Sequence, residues 1–160
     1  MDLGQCKQKA VAMLRDYHNN EVCIQMLQGD LLALQQLHNY NRNMAVSYDQ
    51  PGSSRTNKVA SPVETELVIL EQQRERLQAE LLRRQAWKQK IDLALANMSV
   101  EKRMLLQLRY IEGMSWKQVV QRIEYSEDYI RKELNRVAVE TLACYLFPEL
   151  SRINLFARIF

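Results

Sequence analysis

The segment Leu108–Leu142, LRYIEGMSWKQVVQRIEYSEDYIRKELNRVAVETL, constrains the fold most, because its apolar spacing and its breaks lay out three short amphipathic helices. Gly113 can take the left-handed conformation that closes one helix, and Ser115 can cap the next. In that next helix Trp116, Val119, Val120 and Ile123 fall at i, i+3, i+4 and i+7, so one face is buried. After a turn at Glu124 and Tyr125, Ser126 caps a third helix. There Ile130, Leu134, Val137 and Thr141 line one side while Asp128, Arg131, Lys132 and Asn135 line another. The pattern is a helix-turn-helix whose polar side is open to DNA.

The helix leading into it starts at Ser99 with Glu101 and Lys102 in its first turn. Its apolar face, Met104, Leu105, Leu108 and Ile111, is expected to pack on Trp116, Val120, Ile130 and Leu134 as a small three-helix core. Upstream, Ser61-Pro62-Val63-Glu64 is a helix start, with Ser as cap, Pro at the first helical position and Glu beside the positive end of the dipole. A long charged helix follows to Asn97-Met98-Ser99. Val63, Leu67, Leu70, Leu77, Leu81, Ile91 and Leu95 keep close to a three-four spacing that Arg74 and Arg84 interrupt. This imperfect seam can pair with a second copy or with the N-terminal helices of the same chain.

Val11–Tyr40 reads as one or two helices burying Met13, Leu14, Val22, Ile24, Met26, Leu27, Leu31, Leu34 and Leu37 on one side, with a kink or break at Gly29-Asp30. Asn41–Ser61 is rich in Asn, Ser, Gly and Pro and reads as an exposed connector, in which Arg42, Arg55 and Lys58 are incidental charges of a tether or contacts to DNA phosphate. Beyond Leu142, Cys144, Tyr145, Leu146, Phe147, Ile153, Leu155, Phe156, Ile159 and Phe160 make a tail too apolar for solvent, which needs a covering surface.

With only 4 Gly and 3 Pro in 160 residues, and no period-two alternation, the chain is expected to be all-α. The expected division is an N-terminal helical segment (1–45), an exposed linker (46–61), a long helix (62–97), the helix-turn-helix domain (98–146) and the apolar tail (147–160). No apolar run is long enough to span a bilayer, and the N-terminus lacks a signal-peptide layout, so a cytoplasmic protein with no membrane partner is expected. Cys6, Cys23 and Cys144 are too scattered for a disulfide frame or a zinc site. The net charge of +3 is small, but unevenly placed. Residues 1–54 carry 4 Lys/Arg and 5 Asp/Glu, and residues 55–160 carry 18 and 14, so the basic excess lies with the helix-turn-helix half. His18 and His38 stand apart from any Cys or carboxylate pair, and no phosphate-binding loop or nucleophile elbow occurs. No enzyme, cofactor or metal site is expected.

The run L-R-Y-x-E-G-x-S-W-K-x-V-V-x-R-I-x-x-S-x-x-Y-I-R-x-x-L-N-R resembles the promoter-reading region 4 of bacterial sigma factors. Together with Ser47–Glu64 (SYDQPGSSRTNKVASPVE) and the long charged helix, Tyr40–Leu146 resembles phage late-gene transcription regulators of the RinA/ArpU type. The chain departs from the sigma-like pattern at Glu124, where Gly is usual, and a non-Gly residue at positive φ would cost roughly 1–2 kcal/mol, so a wider turn is expected. It departs again at Val120, where a small Ala is usual, which pushes the two helices apart.

The resemblance implies a DNA-binding transcription regulator of phage or prophage genes, in the cytoplasm of a bacterial host, acting near a promoter on RNA polymerase recruitment. Glu127, Asp128, Tyr129, Arg131, Lys132 and Asn135 are then the base-contacting residues, and Lys117, Gln118, Arg122, Ser126 and Arg136 the backbone contacts. Arg131 suits guanine, Asn135 adenine, and Glu127 or Asp128 cytosine. Proteins of this build commonly read two half-sites, so a homodimer is expected, through the Val63–Leu95 helix or the Leu146–Phe160 tail. Two other readings stand beside this one. A small terminase subunit also joins a helix-turn-helix to an oligomerising helix, usually with the motif at the N-terminus. A protein-interaction module would grip the transcription machinery without touching DNA.

Overall fold

A computed structural model describes residues 2–48 and 62–149, and these are helical apart from the short turns that join the elements, with no strand among them. The α-helices are α1 (Leu3–Arg15), α2 (Tyr17–Tyr48), α3 (Pro62–Ala96), α4 (Val100–Leu106), α5 (Trp116–Arg122) and α6 (Asn135–Leu146). Two π-helical segments join this series: Gln107–Ile111 prolongs α4, and Tyr129–Leu134 leads directly into α6. None of the described helices is long and apolar enough to cross a membrane. The described residues of Met1–Glu21 with Ala86–Phe160 form one compact unit and Val22–Gln85 a second.

The break expected at Gly29-Asp30 lies instead at Asp16. Asp2 opens α1 with a capping box closed by Gln5, and Asp16 ends it in a bridge-like conformation (φ −87°, ψ 0°) before α2 starts. α2 then runs uninterrupted through Gly29 and on to Tyr48, past Asn41, where the connector was expected to begin. Gly costs about 1 kcal/mol against Ala inside a helix, too little to stop one this long. Arg55, Lys58 and the Ser61 cap lie outside the described residues, as do Ile153, Leu155, Phe156, Ile159 and Phe160.

In the first unit the core draws on almost every element. Cys6, Ala10 and Leu14 come from α1, Ile91, Ala94 and Leu95 from the end of α3, Leu105, Leu106 and Leu108 from α4 and its extension, and Val119 from α5. Ile130 and Leu134, then Ala138, Val139, Leu142, Ala143 and Leu146, complete it. α1 packs on α6, which is how the N-terminal residues join the C-terminal helices, and Phe147 packs against the cluster with the Lys9 and Lys90 ammonium groups each 5.7 Å from its ring centre. Polar clamps close the edges. Lys7 pairs with Glu140 at 2.9 Å, and Lys88 bridges Asp92 at 3.0 Å and Glu21 at 3.4 Å. The Tyr17 hydroxyl donates to the same Asp92 carboxylate, and burial together with that bond raises its pKa.

Three positions depart from the expected three-helix packing. Met104 turns to solvent, and Leu106 takes its place, because α4 packs on α6 and buries the adjacent pair Leu105 and Leu106. Val119 is fully buried, and Val120 only partly. In the last helix the buried row is Ile130, Leu134, Ala138 and Leu142, with Val137 and Thr141 at its margin. The wider π turn at Tyr129–Leu134 inserts one residue and carries the downstream register forward by one position.

In the second unit, burial recurs on α2 at Ile24, Leu27, Leu31, Leu34, His38 and Asn41, and on α3 at Leu67, Leu70, Arg74, Leu77, Leu81 and Arg84. Both rows keep the three-four spacing of a coiled-coil seam, and the two helices line a common groove through Leu34 and Leu77. Arg74 and Arg84 fill seam positions rather than breaking the stripe. Their stems lie along the seam while their heads pair with Glu71 and Glu80 on the same helix. The N-terminal apolar set is not buried as one side, since Val22, Met26 and Leu37 stay exposed.

Candidate nucleic-acid interface

The chain on either side of α5 is held by local bonds. Gly113 sits at φ 70°, and the amide of Met114 donates to the Leu108 carbonyl at 2.9 Å, closing the α4 extension around it. Ser115 then forms a capping box with Gln118, whose side-chain oxygen accepts from the Ser115 amide at 2.9 Å. At the other end of α5 the chain leaves the helix at Ile123 in an extended conformation (φ −111°, ψ 117°). The Tyr125 amide donates to the Ile123 carbonyl at 2.8 Å, so Glu124 is the middle of a three-residue turn instead of a wider one. Ser126 accepts from the Tyr129 amide at 3.4 Å and opens the next helical segment.

Beyond that cap, Glu127, Asp128, Tyr129, Arg131 and Lys132 are all exposed, on the first turns after Ser126. Arg131 pairs with Glu127 and Lys132 with Asp128, each at 3.1 Å and each i,i+4 on the same segment. Arg136 pairs with Glu133 at 2.9 Å and lies 3.8 Å from Glu140. Asn135 differs from the rest of this set. It is half-buried, and its Oδ1 accepts from the Tyr110 hydroxyl at 2.9 Å, tying it to the α4 extension. On α5, Lys117 and Arg122 are exposed and make no ion pair among the described residues, while Gln118 is engaged in the capping box.

The sequence reading missed the platform beneath Arg131. The half-buried Trp116 ring carries two guanidinium groups, Arg109 at 4.9 Å and Arg131 at 5.8 Å from its centroid. Arg109 also donates to the Met114 carbonyl at 2.7 Å, so the stack is anchored to the Gly113 turn. The only signal in sequence was a pair of Arg residues around a capped Trp, which spacing alone does not separate from surface charge. Tyr125 was also passed over. Its ring lies 5.4 Å from that of Tyr129, and its hydroxyl donates to Glu101 at 3.2 Å, a contact that raises its pKa.

Chemically, this surface can offer donors and acceptors to base edges from Glu127, Asp128, Arg131 and Lys132, with two unpaired cations on α5 for phosphates. No cluster of His, Cys, Asp and Glu among the described residues has the make-up of a metal site. No curated protein and no solved structure matches the chain. Residues 7–142, spanning α1 to α6, match the family described as "Protein of unknown function (DUF722)", and the chain belongs to that family.

Proposed function

We propose that this chain is a sequence-specific DNA-binding transcription regulator of phage or prophage genes, acting in the host cytoplasm near a promoter on RNA polymerase recruitment. The observation that carries the reading is the exposed row Glu127, Asp128, Arg131 and Lys132 on the segment after the Ser126 cap, next to the unpaired Lys117 and Arg122 of α5. In this reading the Tyr129–Leu134 segment enters the major groove, α5 crosses the backbone, and Arg131 presents its fork to guanine from the Trp116 platform. Tying Asn135 to Tyr110 makes it a support for the helix start of α6 more than a free reader of adenine.

The intrahelical ion pairs favour a second reading, in which the same face grips another protein of the transcription machinery. Exposed i,i+4 pairs are worth only about 0.3–0.5 kcal/mol, so DNA can displace them at small cost, whereas a bidentate guanine contact is worth about 1–3 kcal/mol. Selection of bound fragments from a phage genome, followed by a salt series on the best fragment, separates the two. A recovered motif with affinity falling steeply with salt supports the DNA reading. Recovery of no sequence above background, at any salt, refutes it.

A further inference from the structure

We infer that the outer face of α2, between Val22 and Met44, is a self-association surface whose occupant is a second copy of this chain laid antiparallel across Ala33. The inference stands on the second compact unit and does not depend on DNA binding. Beside the buried seam, α2 carries another row at four-three spacing: Val22, Met26, Gly29, Ala33, Leu37, Tyr40 and Met44. All of it is exposed. Met26 keeps 64%, Tyr40 62% and Leu37 44% of their surface, and a Cβ built at Gly29 would meet nothing within 4 Å. Single exposed apolar side chains are ordinary, but a periodic row of them along one helix is not a solvated face.

Three features select a copy of the same chain over a different partner. The row is self-complementary about Ala33. In an antiparallel pairing with the dyad at that residue, Val22 meets Met44 of the copy, Met26 meets Tyr40, and Leu37 meets the open space over Gly29. The small residues therefore fall where two helix axes must approach, and the large ones fall outside them. Between Val22 and Met44 the helix holds only Asp30 and Arg42 as fixed charges and the α3 wall of the groove adds Arg76, so each copy brings a net charge of only about +1 to this face, too small an excess to hold two copies apart. The area is also sufficient. Twenty-three helical residues span about 34 Å and two adjacent helices are about 20 Å wide, roughly 700 Å² per copy. Standard interfaces bury about 800 Å² per partner. The α3 share of that width is the groove wall formed by Gln73, Arg76 and Leu77 opposite Ala33 and Leu37.

The test uses the full chain in light scattering and sedimentation over a range from about one to one hundred micromolar, where homodimers of ordinary affinity form. The parent is expected to run as a dimer. Ala33→Glu, which places two carboxylates on the dyad and keeps a good helix former, should weaken the dimer at least tenfold with unchanged circular dichroism. Ala33→Cys in a Cys23→Ser, Cys144→Ser background should crosslink to its own counterpart on mild oxidation. Leu82→Glu, at an exposed position of α3 away from the groove, should leave the mass unchanged. A monomeric parent overturns the inference and leaves the face to a different protein, as does a dimer that ignores Ala33→Glu or yields no crosslink. A chain that binds DNA as a monomer likewise overturns it while leaving the DNA reading intact.

Discussion

Replacing Arg131 with Ala tests the proposed interface most directly, because two of its competing interactions have known scales. In the free protein the guanidinium pairs with Glu127 at 3.1 Å and lies over Trp116 at 5.8 Å, and half its side-chain surface is exposed. Giving up an exposed i,i+4 pair costs about 0.3–0.5 kcal/mol, and a bidentate guanine contact returns about 1–3 kcal/mol. The stack on Trp116 need not be lost, since the ring can stay under the guanidinium while its fork turns outward. The net contribution is then about 0.5–2.7 kcal/mol, so Arg131→Ala should weaken the specific site by roughly 2-fold to 100-fold, at 1.4 kcal/mol per decade. Non-specific binding should fall much less. Fluorescence anisotropy on the selected site and on a scrambled duplex at matched salt reads these differences, with Lys117→Ala as a phosphate-contact control that weakens both duplexes alike. Equal losses on the two duplexes for Arg131→Ala would refute the reasoning.

The register of α5 is checked by Val119→Ala, which removes two buried carbons and should cost on the order of 2 kcal/mol in urea unfolding, against well under half of that for the part-exposed Val120→Ala; equal losses would place α5 differently. Gly113→Ala should destabilise the unit by about 1–2 kcal/mol, since φ 70° strains any residue with a Cβ even though the space around it is open; an unchanged melting temperature would mean that the turn has another form. Tyr17 titrates above its ordinary value of 10.0, so its contribution to stability is complete below pH 10 and lost as pH rises through the raised value. Tyr17→Phe should therefore melt lower than the parent at pH 8, with the gap closing above pH 10; a gap that is constant with pH contradicts the Asp92 contact.

Part of this protein is local and could be read directly. The helical content, the stop at Gly113, the caps at Ser115 and Ser126 and the exposed charges of the Glu127–Lys132 stretch all follow from propensity and from bonds between residues two to four apart. No tertiary partner is needed for them. Other features depend on which surfaces meet. Asp16 ends a helix while Gly29 does not, because a lone glycine costs a helix only about 1 kcal/mol and the packed seam on the other side of α2 holds it through that position. Arg74 and Arg84 look like interruptions in a one-dimensional pattern, yet their stems fill the seam once a neighbouring helix is beside them. The choice of Val119 over Val120 depends on how α5 meets the α4 extension, and that of Ala138 and Leu142 over Val137 and Thr141 turns on a single π turn and on the approach of α1 to α6. The joining of Asn135 to Tyr110 and the contact of Trp116 with Arg109 and Arg131 bring together residues 7 to 25 positions apart. Spacing along the chain carries no information about contacts of that kind, because they exist only after the helices have packed.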